Sequence, residues 1–167
     1  MMPLSMVFYL VAAAVGQAMV PSWARLGMVK PPLLLGLVIY YALTRERHWA
    51  LVAALLAGIF QDAMGHIPLG YSAAGFCLVA LVVQRFRATV FIFRAVTHVV
   101  LGTVCSVAVT LWLALLLSQD GLIELVPRLL AQKILGAMVL GAVAVPVAFR
   151  FAEALDVRLG LVEETSA

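Results

Sequence analysis

Gly58-Ile59-Phe60-Gln61-Asp62-Ala63-Met64-Gly65-His66-Ile67-Pro68-Leu69-Gly70 interrupts a strongly apolar stretch that runs from Leu51 to Val83, and it carries that stretch's only carboxylate, Asp62. Working outward, the chain is 65% hydrophobic and 11% charged, against about 45–50% apolar and about 25% charged usage in soluble globular domains. The solvent to expect is therefore a bilayer. There, helices satisfy the backbone's polar groups internally. The fold class that follows is an all-α integral membrane protein.

Each helical crossing needs about 20 residues, so 167 residues fit one bundle of five or six spans with nothing left for a soluble catalytic domain. The apolar runs begin with Leu4 to Val20, which has no Lys or Arg before it and a poor cleavage pattern after it, and so reads as a retained span. The second follows Lys30-Pro31-Pro32 and continues to Leu43, with both prolines expected in its first turn. The third, Trp49 to Phe60, is short unless its polar end stays at membrane depth inside protein. Tyr71 to Val83, Val90 to Leu117 and Ile134 to about Phe151 complete a six-span reading. Between the last two, Ser118 to Lys133 mixes Asp120, Glu124, Arg128 and Lys133 with apolar residues and reads as a partly helical connector at the interface. Residues 1–152 then form a single transmembrane domain and residues 153–167 a short cytoplasmic tail.

Basic residues are retained preferentially on the cytoplasmic side of a membrane. Six spans put Arg45, Arg47, Arg85, Arg87, Arg94, Arg150 and Arg158 on one side and Arg25, Lys30, Arg128 and Lys133 on the other. Both termini are therefore expected in the cytoplasm, with Asp62 and His66 outside in a connection free of Lys and Arg. The pI near 9.2 does not point to nucleic acid, because the basic residues are dispersed among connections instead of lining a groove. Membrane lipids are the simpler partner. Trp23, Trp49 and Trp112 lie near segment ends, where an indole suits the interface; bundle packing is the alternative.

Gly58 and Asp62 are four residues apart, so a helix through them puts both on one face, while Gln61 points elsewhere. Glycine permits close backbone approach, and a carboxylate can organise donors that would be costly to leave unpaired in an apolar bundle. The plainer role for Asp62 is to cap the following turn by accepting from the Met64 or Gly65 amides; a role in a partner or ligand surface can coexist with it. Gly65, Pro68 and Gly70 make the segment shaped instead of freely flexible. Of the other polar residues, His98 reads as a core or interfacial residue, and Ser106 and Thr110 share a helix face with local backbone bonding as their simplest role. Cys77 and Cys105 read as small buried hydrophobes.

These residues also carry a resemblance. Pro31-Pro32-Leu33-Leu34-Leu35, Tyr40-Tyr41-Ala42-Leu43, Gly58-Ile59-Phe60-Gln61-Asp62, Gly65 and Pro68-Leu69-Gly70 make most of the chain similar to the MreD family of rod shape-determining proteins. The resemblance implies a six-span bundle whose fold is like the membrane-embedded substrate-binding subunits of energy-coupling-factor transporters. It also implies residence in the bacterial inner membrane and a non-enzymatic scaffolding role in the cell-wall elongation complex. The implied partners are MreC directly, and MreB with the elongation glycosyltransferase and transpeptidase within the larger assembly. Gly58, Asp62, Leu69 and Gly70 match the family's central pattern. With Gly65, Pro68 and Tyr71 they form the candidate structural or partner-binding motif.

An enzyme would need a converging nucleophile, acid–base pair or metal set. Asp62 and His66 have helical spacing, but one carboxylate and one histidine fall short of a metal set, so no catalytic residue, metal or cofactor is expected. The alternative function is a small-molecule-binding membrane subunit of a transporter. A polar centre and glycine-interrupted helices suit such a site, although the chain has no nucleotide-binding sequence and would need partners for energised transport.

Overall fold

The segment that follows Pro31-Pro32 forms the middle of the molecule. In the computed structural model, which describes residues 2–19, 30–65, 68–87, 95–121 and 126–158, six helices follow one another: α1 (Met2–Met19), α2 (Leu33–Thr44), α3 (Arg47–Gly65), α4 (Tyr71–Arg85), α5 (Ala95–Gln119) and α6 (Pro127–Arg158). Every residue of α2 from Leu34 to Leu43 is buried, as expected of a helix that is apolar on all sides. Helices α1, α3, α4, α5 and α6 all contact it. Both prolines precede the first helical residue instead of forming the first turn: Pro32 is the N-cap and supplies no side-chain cap. The helix closes where the Thr44 hydroxyl donates to the Tyr40 carbonyl at 2.8 Å and Arg45 turns extended.

Helix α3 shows what solvent the bundle is built for. Its buried positions are Ala50, Ala53, Ala54, Ala57, Gly58 and Asp62, while the larger Val52, Leu55 and Ile59 are exposed. A soluble bundle places its large apolar side chains inward; small residues at helix contacts and large ones outside are the pattern of helices packed in lipid. Helices α3, α5 and α6 are long and apolar enough to cross a membrane, and α1, α2 and α4 are shorter apolar helices. The described residues form an all-α six-helix bundle, and the chain is a multi-pass membrane protein.

Helices α5 and α6 come close at Gly102 and Gly141, where a Cβ added to Gly102 would lie 2.5 Å from the Gly141 carbonyl oxygen. Nearer the other end, Phe149 of α6 is held between Tyr40, edge-on at 4.9 Å, and His98, stacked at 3.9 Å. The start of α6 differs from the sequence reading. Arg128 and Lys133 belong to its first two turns instead of to a connector, because Pro127 sits where a proline's missing N–H is harmless and its fixed φ favours a helix start. The same helix continues without a break across residue 152 to Arg158.

Candidate functional site

Asp62 lies inside α3, one turn before its end, and not in a connection; it is fully buried. Its Oδ2 accepts from the Gly70 amide at 2.8 Å and its Oδ1 from the Ser72 amide at 3.0 Å. The expected acceptor role is present, but the donors are Gly70 and Ser72 instead of Met64 and Gly65. The reason is geometric: Met64 and Gly65 remain within α3, whereas the first amides of α4 have no intrahelical acceptor. The carboxylate also meets the positive end of that helix's dipole. Gly70, the N-cap of α4, has φ of 110°, a left-handed conformation that glycine adopts without a Cβ penalty.

One turn back along the same face, Gly58 lets α3 approach the first turn of α4. A Cβ there would stand 2.2 Å from the Ala73 Cα and 2.5 Å from the Ala73 backbone nitrogen. Gly58 sets the contact and Asp62 binds it, so the two form one clasp on one helix face.

The other motif residues lie on the surface side of this corner. Gly65, Pro68 and Leu69 are exposed, Leu69 to 72%. Tyr71, half-buried, turns toward α5: its hydroxyl donates to the Asp120 carboxylate, and its carbonyl accepts from the Trp112 indole N–H at 3.3 Å. Trp112 also packs against Gly75 while its ring stays partly exposed. His66, Ile67, Trp23, Arg94 and Glu124 lie outside the described residues.

A second polar bridge was not legible from the motif. Gln17 of α1 is buried; its Oε1 accepts from the Leu34 amide at 3.3 Å and its Nε2 donates to Gln61 Oε1 at 2.7 Å. It thus serves the start of α2, which Pro32 leaves uncapped. The only sequence signal is one amide near the end of an otherwise apolar run. The last turns of α3 accordingly help to satisfy two helix starts, α4 through Asp62 and α2 through Gln61 and Gln17.

Among the described residues no group of three or more His, Cys, Asp or Glu side chains could hold a metal ion, and Cys77 and Cys105 are free thiols. What the corner offers is a shaped surface on a buried, charge-bonded base. A family model described as rod shape-determining protein MreD matches residues 1–153. No curated protein and no solved structure matches the chain.

Proposed function

The chain belongs to the MreD family of rod shape-determining proteins, and from that premise we propose that it is an inner-membrane scaffold of the bacterial cell-wall elongation complex that binds MreC and helps to organise peptidoglycan synthesis. Membership makes it a non-catalytic membrane protein. MreB and the elongation glycosyltransferase and transpeptidase enter through the larger complex, and membrane lipids surround the bundle. The same proposal includes six crossings with both termini in the cytoplasm, residues 1–152 as the membrane domain, a tail from 153, and a fold like the energy-coupling-factor substrate-binding subunits.

The observation that carries the partner-binding part is the pairing of an exposed Pro68–Leu69 corner with the buried Asp62 clasp beneath it. An apolar projection on a fixed base loses little conformational freedom on binding. Gly58, Asp62 and Gly70 shape the corner; Gly65, Pro68, Leu69 and Tyr71 present it.

Site-specific crosslinking tests this. A photoreactive residue at Leu69 or Tyr71 should capture MreC in a purified pair, whereas one at Arg87 should not. Reporter fusions after Arg87 and Arg158 should behave as cytoplasmic and an insertion beside Pro68 as external. Failure to isolate the pair, together with specific small-molecule uptake by a reconstituted complex containing this chain, would move the assignment to a transporter subunit.

A further inference from the structure

At the opposite end of the bundle from Asp62, four arginines stand at or just beyond the ends of α2, α3 and α4. Arg45 follows α2, Arg47 opens α3, Arg85 closes α4 and Arg87 lies two residues beyond. The corner is closed by the Arg87 guanidinium, whose Nη1 donates to the Arg45 carbonyl at 3.0 Å. Arg47, Arg85 and Arg87 are exposed, and among the described residues no carboxylate pairs with any of the three. Glu46 is the one acid in these connections, and it lies 3.4 Å from His48 Nδ1. The first turn of α3 contains no acidic residue, so the positive end of that helix's dipole adds to the charge beside Arg47. The α4 C-terminus complements Arg85, which leaves Arg47 and Arg87 without a carboxylate partner among the described residues.

We propose that this corner binds the headgroup of an anionic phospholipid. Guanidinium groups match phosphate oxygens with paired, charge-assisted hydrogen bonds. The surroundings favour a lipid over a soluble phosphate. The corner stands at the start of α3, a helix of membrane-crossing length and composition. Phe86, between Arg85 and Arg87, is 58% exposed, and Leu78, Leu81 and Val82 continue the exposed apolar surface along α4. A diacyl lipid can place its phosphate on the arginines and its chains on those side chains at once. Basic sites at the ends of membrane helices recognise anionic headgroups in this way. The site lies away from the Pro68–Leu69 corner, so it stands or falls separately from the scaffold reading.

The test uses the full chain purified in phosphatidylcholine nanodiscs. Phosphatidylglycerol is titrated in, with bound lipid counted by native mass spectrometry and thermal unfolding followed in parallel. Phosphatidylglycerol should be retained in preference to phosphatidylcholine and should raise the unfolding temperature. Arg47→Gln and Arg87→Gln should each weaken retention about fivefold, while Arg128→Gln with Lys133→Gln, at the other end, should leave it unchanged. No preference of the native chain for phosphatidylglycerol overturns the proposal, and that arm needs no variant to fold. Equal weakening by the Arg128 and Lys133 changes also overturns it, as does full competition by glycerol phosphate, which has the headgroup chemistry without the chains.

Discussion

Gly58 of α3 and the Gly102–Gly141 pair of α5 and α6 both bring helix backbones together where a side chain would not fit, yet the two contacts are secured by different physics. At Gly58 the approach is followed one turn later by a buried carboxylate that accepts two backbone amides of the partner helix. At Gly141 the nearest neighbours of an added Cβ would be the Ser106 hydroxyl at 2.3 Å and the Gly102 carbonyl at 2.7 Å, and Ser106 Oγ has no hydrogen-bond partner among the described residues. Hydrogen bonds are directional, whereas close packing rewards contact in any matching register. The first contact therefore fixes where α4 begins relative to α3, and the second fixes only how near α5 and α6 can come. A corner that presents a surface to a partner needs the first kind of control.

Gly58→Leu should produce the largest effect. Its added atoms meet Ala73 backbone, which cannot rotate away, so the cost should reach or exceed about 3 kcal/mol, the upper end of ordinary overpacking. Unfolding in mixed micelles, read beside membrane yield, checks it. A variant as stable as the native chain would mean that α3 and α4 are not held this closely.

Asp62→Ala should come next, at about 3 kcal/mol, because it removes two hydrogen bonds to a charged acceptor and leaves the donors at the start of α4 unsatisfied. Asp62→Asn keeps one carbonyl oxygen and should recover about half of that loss. A loss for the alanine variant no greater than that of an alanine placed at exposed Leu55 would remove the distinction between the two contacts. If both Asp62 variants keep MreC in a purified pair while the corner is measurably loosened, the clasp is structural and the exposed residues alone meet the partner.

The pairing of Gly58 with Asp62 was legible because both lie on one α-helical face, a relation that depends only on the period. What Asp62 binds was not. Its donors lie eight and ten residues ahead, across a turn, whereas a local capping rule reaches only the nearest amides. The membrane character and the apolar runs were legible from composition. The central place of α2 was not, since an all-apolar helix such as Leu33–Thr44 satisfies burial in protein and exposure to lipid equally well. The α6 start was hidden for the converse reason: Arg128 and Lys133 lower the hydropathy of turns that Pro127 nevertheless begins. Gln17 carried no readable partner, because the Gln61 amide and the α2 start come beside it only through packing.

Gly141→Ala probes the steric contact and should cost about 2 kcal/mol. That is less than Gly58→Leu, because only a single methyl is added and part of what it meets is a hydroxyl on a side chain. Ser106→Gly in the same chain should return part of the loss. The two residues touch, and contacting residues show coupling of about 0.5–3 kcal/mol in double-mutant cycles. Additive effects would show that the two helices relieve the strain by separating, so that this contact yields where the clasp does not.

The smallest effect belongs to Ser72→Ala, and it is the sharpest of the set. Ser72 is fully buried and its hydroxyl has no hydrogen-bond partner among the described residues, but its amide is one of the two that Asp62 holds. Alanine deletes the hydroxyl and keeps the amide. If the clasp is made by backbone donors, this variant should unfold no more easily than the native chain and should gain up to about 1 kcal/mol, since an unsatisfied buried polar group is unfavourable. Crosslinking to MreC from Leu69 should be unchanged. A destabilisation comparable to that of Asp62→Ala would instead mean that the hydroxyl takes part in holding the corner, through a bound water or a residue beyond the described ones, and that the control over α4 is shared between side chain and backbone. The comparison of Ser72→Ala with Asp62→Ala thus separates the two at a single residue, with the amide constant and only the hydroxyl removed.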